Sequence, residues 1–449
     1  MSEYFVFGGN ISAKSDEKMN NETVKRLWNS FCLTDGEISL EVGEKNTFKI
    51  GNAPNVTLPT DKEYAISVRE NGLSVVGKDY NGLIRGFISL IMKIEYSDSD
   101  FRIKCFYEES EYSVRNRMIH ICVFPENDLY FIKKLVRLCG LCQFTHIVIE
   151  FWGMLRYDCL KELSWPHAFT KDEVRALVKE ARELGMEPIP MFNMFGHASS
   201  SRFCYGKHVV LDQNPRLQYL FTPDGWAWDI RSDKVAELLK NVREELYEVF
   251  GSGEYIHIGC DEAYYYTRSD KDREYMPEFL HRLTCEVESE GRRPMLWMDM
   301  ILDSERFKHP YFAFGKAGET DKLIASLSKN CVMVDWQYDK NDAPIETSIS
   351  LLESGHDVVI APWLNESNFR ACVKTAEDSG LFGVMLTTWH ILRDRMPGII
   401  GFAKRCNASL FTWAELSGDH EMTATALRRV SFEGNSYEDY GWSKRQIET

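Results

Sequence analysis

The chain has no long apolar run, no dense cluster of lysine and arginine, and no concentration of cysteine. Its longest apolar stretches are strand-sized, well short of the about 20 consecutive apolar residues that a membrane-spanning helix needs. Lys+Arg number 53 against Asp+Glu 68, a net charge of −15. Without a local basic patch that balance argues against nucleic acid and against an anionic membrane as partners. The N-terminus, MSEYFVFGGNISAKSDEK, lacks a basic segment followed by an apolar one, so no secretory leader is visible. The 12 cysteines are scattered, and Cys122, Cys331 and Cys372 sit inside apolar runs, which predicts buried, reduced thiols in a cytoplasmic protein. With 44 % hydrophobic and 27 % charged residues, a disordered, collagenous or small disulfide-stapled chain is excluded.

What is present divides into two parts. In residues 1–110, EYAISV (63–68) and GLSVVGKD (72–79) are β-rich runs joined by Glu-Asn-Gly, a hairpin signal. Leu83, Phe87, Leu90, Ile91 and Ile94 then recur at helical spacing, and residues 101–112 read as a connector strand and turn. This predicts a small α+β domain with one helix. From 111 to 449 short apolar runs alternate with amphipathic segments: MIHICVF (118–124), HIVIEF (146–151), EPIPMFNMF (187–195), YIHIG (255–259), RPMLWMDM (293–300), VMVDW (332–336), DVVIAPW (357–363) and FGVMLTTW (382–389). Eight buried parallel strands with crossover helices predict an α/β fold, a (β/α)8 TIM barrel with a C-terminal helical tail.

Polar and aromatic residues gather at the ends of these runs: Glu150, Asn193 with His197, Asp261 with Glu262, Asp299, Asp335 with Trp336, Trp363, and Trp389 with His390. Barrels of this kind display their chemistry at the C-terminal ends of the strands. The sharpest feature is YIHIGCDEAYYY (255–266), where Gly259 lets the backbone approach a neighbour and Asp261-Glu262 leave the fourth strand. Both carboxylates can line one pocket only if the strand ends there, because successive strand residues point to opposite faces. Glycoside cleavage needs a proton donor for the leaving oxygen, which Glu262 has the reach to be. Asp261 suits holding a substrate group that attacks intramolecularly, with the high effective concentration that follows. His197, after Gly196, is expected to support Glu262, with Glu150 as an anchor from the neighbouring strand end. Arg115 before the first strand points either to the pocket or to the surface, as does Arg117. Trp336, Trp363 and Trp389 are expected to form aromatic walls for a sugar ring, with indole N–H groups available to a hydroxyl. Residues 226–228 (Trp-Ala-Trp) add a further platform or a partner surface.

These residues resemble glycoside hydrolase family 20, the β-N-acetylhexosaminidases. The family's His-x-Gly-Gly-Asp-Glu appears as His257-Ile258-Gly259-Cys260-Asp261-Glu262, and its Asp-Met-Pro-Gly-His as Asn193-Met194-Phe195-Gly196-His197. Its Arg-Gly-x-Met-x-Asp opening is similar to Arg115-Asn116-Arg117-Met118-Ile119-His120. The resemblance implies retaining hydrolysis of a terminal β-linked GlcNAc or GalNAc on an amino-sugar glycan, with no metal and no organic cofactor. It implies that Glu262 is the acid and then the base, and that Asp261 orients the 2-acetamido group as it forms an oxazoline-type intermediate. It further implies that Arg115 holds hydroxyls, that His197 supports Glu262, and that Trp336 and Trp389 enclose the sugar. The chain departs from the family at Asn193, Phe195, Cys260 and His120, at Glu150-Phe151-Trp152, and at Trp389-His390-Ile391. It also has no tyrosine in 361–365, where the family places one after the seventh strand.

Two other readings compete. A zinc-dependent barrel hydrolase would draw on His257, Cys260, Asp261, His197 and His120. A non-catalytic carbohydrate-binding protein would use the tryptophans without turnover. Cys139 and Cys142 have redox-motif spacing but lie late in a helix, where packing is the expected role.

Overall fold

The computed structural model describes residues 3–32, 38–97, 100–198, 214–363, 365–389, 392–393, 396–407 and 419–430, and the single positions 211 and 410. Eight parallel strands close into a barrel in sequence order: Asn116–Cys122, His146–Glu150, Glu187–Met191, Tyr255–His257, Arg293–Trp297, Val332–Trp336, Asp357–Ala361 and Gly383–Thr387. Closure is made by the first strand pairing with the last, Met118 opposite Met385 and His120 opposite Thr387. All eight expected runs are strands, but most stop two to four residues earlier than the apolar pattern does. Inward-facing Met118, Val148, Ile189, Met295, Val332 and Met385 fill the barrel interior, so it is a packed core with its working end above them.

The crossover helices follow from apolar spacing. Lys171–Glu183 buries Val174, Leu177, Val178 and Ala181, one helical face, and starts with a Thr170/Glu173 capping box. Leu129–Leu141 buries Cys139, and Cys142 caps its end. Burial pushes both thiols up, Cys139 and Cys142 alike, which fits packing and not redox chemistry.

The N-terminal part is richer than expected. The hairpin is there, Tyr64–Arg69 against Gly72–Gly77, inside a six-stranded sheet. The connector proves to be two strands in two different sheets: Asp100–Lys104 pairs with Tyr4–Phe7, and Phe106–Glu109 pairs with Tyr64–Arg69. Beside the expected helix, Tyr80–Met92, stands a second one, Glu22–Cys32. Its Val24, Leu27, Trp28 and Phe31 are buried, with Trp28 packed on Phe48 and Phe87.

This unit docks on the foot of the barrel, where strands begin. Arg117 and Arg85 both pair with Glu63, and Arg85 Nη1 donates to the Gly185 carbonyl at 3.0 Å. Burial pushes the Glu63 carboxyl up, but the two guanidinium groups outweigh it and hold the group below its usual range. The opposite end is left to the loops that carry the site.

Two buried histidines on barrel strands tie stability to pH. Burial depresses His146 to about 3, helped by the Arg85 and Arg117 charges, and depresses His257 to about 3, helped by His120. Both are neutral in the fold, whereas the unfolded chain takes up a proton on each as pH falls below about 6.5. Their contribution is therefore present above about 6.5 and is lost progressively towards about 3. Each histidine should cost about 2 kcal/mol of stability at pH 5 relative to pH 7. Denaturant titrations of wild type and His146→Gln at the two pH values check this, the variant showing the smaller drop.

Candidate active site

The carboxylate pair sits where the fourth strand ends, and local backbone geometry solves the problem of two adjacent residues facing one pocket. Gly259, Cys260 and Glu262 have φ of 67°, 80° and 50°, so the chain coils sharply. Left-handed φ is cheap for Gly259 and costs about 1–3 kcal/mol at other residues. Gly259 is also held to glycine by space: a Cβ there would lie 2.5 Å from the Asn193 side chain. Gly196 has a similar constraint, since its Cβ would meet the Asp261 carbonyl oxygen at 1.9 Å. The turn into the pocket is made by His197 itself, with φ 51°, and Gly196 supplies the room.

The result is convergence. His197 Nε2 lies 2.9 Å from Glu262 Oε2 and 3.4 Å from Asp261 Oδ2, so both carboxylates face one imidazole. Asp261 is buried and accepts a hydrogen bond from Asn193 Nδ2. Asn193 Oδ1 in turn accepts the Cys260 backbone N–H at 2.9 Å. An aspartate at 193 has no N–H to give; the asparagine makes this contact attractive without adding a charge. Glu262 is partly open to solvent, as a group that meets substrate must be.

Residues 226–228, expected as a platform or a partner surface, form part of this scaffold. Trp226 packs against His197 with the rings tilted and 4.7 Å apart, and donates from Nε1 to the Glu262 carbonyl at 2.6 Å. Trp228 is fully buried and donates to the Asn193 carbonyl at 3.0 Å. Asp299, at the end of the fifth strand, is a third carboxyl group beside the pair. Burial, followed by the Asp261 charge, pushes it well above its usual range.

Three of the tryptophans flank a residue that sequence reasoning missed. Tyr338, two residues past the sixth strand, has Trp336 at 5.0 Å and Trp363 at 5.3 Å, and its hydroxyl accepts from Trp389 Nε1 at 2.7 Å. Phe312 closes on Trp336 at 4.4 Å. Tyr338 alone carries no pattern in the sequence; only its spacing of two from Trp336, which puts both side chains on one face of an extended chain, pointed to it. The expected free indole N–H groups are corrected here. Trp336 Nε1 donates to Asp299 Oδ1 at 3.1 Å and Trp389 Nε1 donates to Tyr338, so those aromatic walls offer faces and not donors.

Other expectations are corrected as well. Arg115 is exposed at the start of the first strand, in a foot-side cavity of about 260 Å³ with Asp79, Arg85, Asn116 and Glu187, at the far end from the pair. Arg117 is also at the foot, bound to Glu63. Glu150 does not reach His197. It is fully buried and bonded to His120 Nε2 at 3.1 Å, beneath the mouth, out of direct reach of a substrate. Asp335 faces outward, accepting from Thr347 and Ser348 at 2.6 and 2.7 Å, because Trp336 next to it faces in. His390 lies outside the described residues. The metal-capable set does not converge: His120 is held by Glu150, His197 by the acids, and the Cys260 thiol points to the Ile258 carbonyl with its pKa raised by burial.

Fold and site define a closed (β/α)8 barrel with an acid pair and an imidazole at the end of its fourth strand. Residues 153–369 match the family model described as glycosyl hydrolase family 20, catalytic domain. The matched stretch, less than half of the chain, takes in five of the eight barrel strands together with His197 and the Asp261–Glu262 pair. Among curated proteins it is similar to the lacto-N-biosidase of Bifidobacterium bifidum, 20 % identical over 262 residues, which cover 55 % of this chain and 23 % of that protein. It is 24 % identical to the β-hexosaminidase of Emericella nidulans over 216 residues, covering 43 % of this chain and 32 % of the relative. Hexosaminidase D of Bos taurus is 22 % identical over 168 residues, 36 % of this chain and 43 % of the relative. The matches thus span less than half the length of each of these curated relatives. Among solved structures, the fold is similar to that of an exo β-N-acetylglucosaminidase of the family from Vibrio harveyi, with TM-score 0.68, 14 % identity and coverage of 97 % of this chain and 76 % of that one. The β-N-acetylhexosaminidase from Bacteroides fragilis gives TM-score 0.66 at 17 % identity, covering 99 % and 96 %.

Gly196→Ala is expected to push the Asp261 peptide aside while leaving the barrel folded. A displacement of about 1 Å at reacting groups costs on the order of 100-fold. Any activity of the wild type should fall by that order or more with far-ultraviolet circular dichroism unchanged.

Proposed function

We propose that this chain is an exo-acting, retaining β-N-acetylhexosaminidase that removes a terminal β-linked GlcNAc or GalNAc from an amino-sugar glycan. The observation that carries the reading is the single imidazole of His197 within 3.4 Å of both Asp261 and Glu262, which brings the two carboxylates together at one point of the barrel mouth. In the first step Glu262 gives its proton to the glycosidic oxygen as the C1–O bond breaks. The carbonyl oxygen of the sugar's own 2-acetamido group forms the new bond to C1, and Asp261 accepts the acetamido N–H as it becomes acidic in the oxazolinium ion. In the second step Glu262 takes a proton from water, the water oxygen bonds to C1, and the acetamido oxygen leaves with its electron pair. Configuration is inverted twice and so retained.

Asn193 and His197 keep Asp261 aimed while it does this work, and His197 and Trp226 fix Glu262 from its side chain and its carbonyl. Trp336, Trp363 and Trp389 present apolar faces for the sugar ring and the acetyl methyl. The Tyr338 hydroxyl lies among them, with a hydrogen to donate once it has accepted from Trp389. Burial pushes that phenol above its usual range, so it stays a donor throughout the working pH range.

The test is kinetic. On an aryl 2-acetamido β-glycoside, Asp261→Asn should lower kcat by about 100- to 1,000-fold, the scale for losing one group that stabilises developing charge. Glu262→Gln should abolish turnover of poor leaving groups while substrate binding persists. A thiazoline mimic of the bicyclic intermediate should bind more tightly than the product. Undiminished turnover in Asp261→Asn, or efficient hydrolysis of the 2-hydroxy analogue, would remove the internal nucleophile from the account.

A further inference from the structure

Asp299 makes two contacts that no role above uses. Its Oδ2 accepts the backbone N–H of Glu262 at 2.9 Å, and its Oδ1 accepts Trp336 Nε1 at 3.1 Å. Both donors belong to the working surfaces, one to the acid loop after the fourth strand and the other to the aromatic wall on the sixth. The carboxyl group is buried, with 2 % of the residue exposed, and its own backbone carbonyl accepts the Phe314 N–H at 2.6 Å. Phe314 in turn packs against Tyr264 at 5.2 Å and Trp336 at 6.5 Å. The peptide it holds is the one at left-handed φ, which relaxes unless something restrains it.

We infer that Asp299 is a positioning residue that fixes the distance between the acid loop bearing Glu262 and the sugar-facing wall of Trp336 by accepting one N–H from each. The inference rests on the reading of Glu262 as the acid/base. It depends on Asp299 having two oxygens that both accept. Asparagine is the same size, but its amide offers one acceptor and one N–H2, so in Asp299→Asn one of the two N–H donors must face another donor. A buried donor left facing a donor is strained, and the loop or the indole must give way.

Replacing Trp336 by phenylalanine removes the indole donor while keeping an aromatic face. In the wild type, Trp336→Phe should raise KM and lower kcat by no more than about 3-fold. Asp299→Asn should lower kcat about 10-fold or more. In the double variant the amide oxygen is free to serve the Glu262 N–H with no opposing donor, so adding Trp336→Phe to Asp299→Asn should raise kcat again by at least about 3-fold. That reversal of sign is a coupling that a purely packing role does not produce. Trp336→Phe lowering kcat by the same factor in both backgrounds would overturn the inference. Where Asp299→Asn does not fold, Asp299→Ser takes its place: its hydroxyl serves only Glu262, so adding Trp336→Phe should lower kcat by a smaller factor than it does in the wild type, equal factors again overturning it. Glu262→Gln is assayed alongside. If it turns over like wild type, the acid/base reading has failed; if it is dead while the cycle is additive, only the role of Asp299 has failed.

Discussion

Three carboxyl groups, those of Asp261, Glu262 and Asp299, stand at the ends of two neighbouring barrel strands, and two of them are buried. Crowding acids in a low-dielectric site is unfavourable, both because each charge loses water and because like charges repel. The surroundings offset this with N–H donors aimed at carboxylate oxygens. Asn193 and His197 serve Asp261, His197 also serves Glu262, and the Glu262 peptide and the Trp336 indole serve Asp299. Each of those donors is itself a residue that must sit in one orientation, so satisfying the acids fixes the shape of the site. The rigid barrel supplies the anchor points, and the pocket geometry follows from the hydrogen bonding.

The backbone records the same constraint. Five of the seven non-glycine residues with left-handed φ among the described residues lie just past barrel strands: Trp152, His197, Cys260, Glu262 and Trp389. A strand that ended in ordinary extended geometry would send successive side chains to opposite faces. The coiled exits bring Asp261 and Glu262 to one imidazole and turn His197 towards them. Burial of Trp228 and packing of Trp226 against His197 keep these exits from relaxing. Chemistry at the mouth is thus connected through named contacts to apolar packing below and beside it.

Much of this was legible in the sequence, and the parts that were not have physical reasons. The eight strands stood out because buried parallel strands are continuous apolar runs, and the overshoot at their ends came from apolar residues such as Phe192, Met194 and Met298 that belong to the exits. The Asp261–Glu262 pair and His197 were visible from glycine and strand-end context. Arg115 was misplaced because a residue before a strand lies at the foot, and a long side chain does not span the barrel. Glu150 was misassigned because alternation told its face but not its partner, His120. The helix Glu22–Cys32 had its signal in Val24, Leu27, Trp28 and Phe31 at spacings of three and four. Tyr338, and the role of Trp226 beside the acid loop, could not be found that way, since they lie in partners 51 and 36 residues distant in the chain.

In the proposed reaction the carboxylate pair works on one sugar whose own amide oxygen attacks C1, with Asp261 steering that amide. The most direct measurement is kcat/KM for aryl β-glycosides whose 2-acetamido methyl carries none, one, two or three fluorines. Each fluorine withdraws electron density from the amide oxygen without changing the ring or the leaving group. The account predicts a stepwise fall that reaches several orders of magnitude for the trifluoro compound. A rate that stays level across the series would mean that the amide oxygen does not attack.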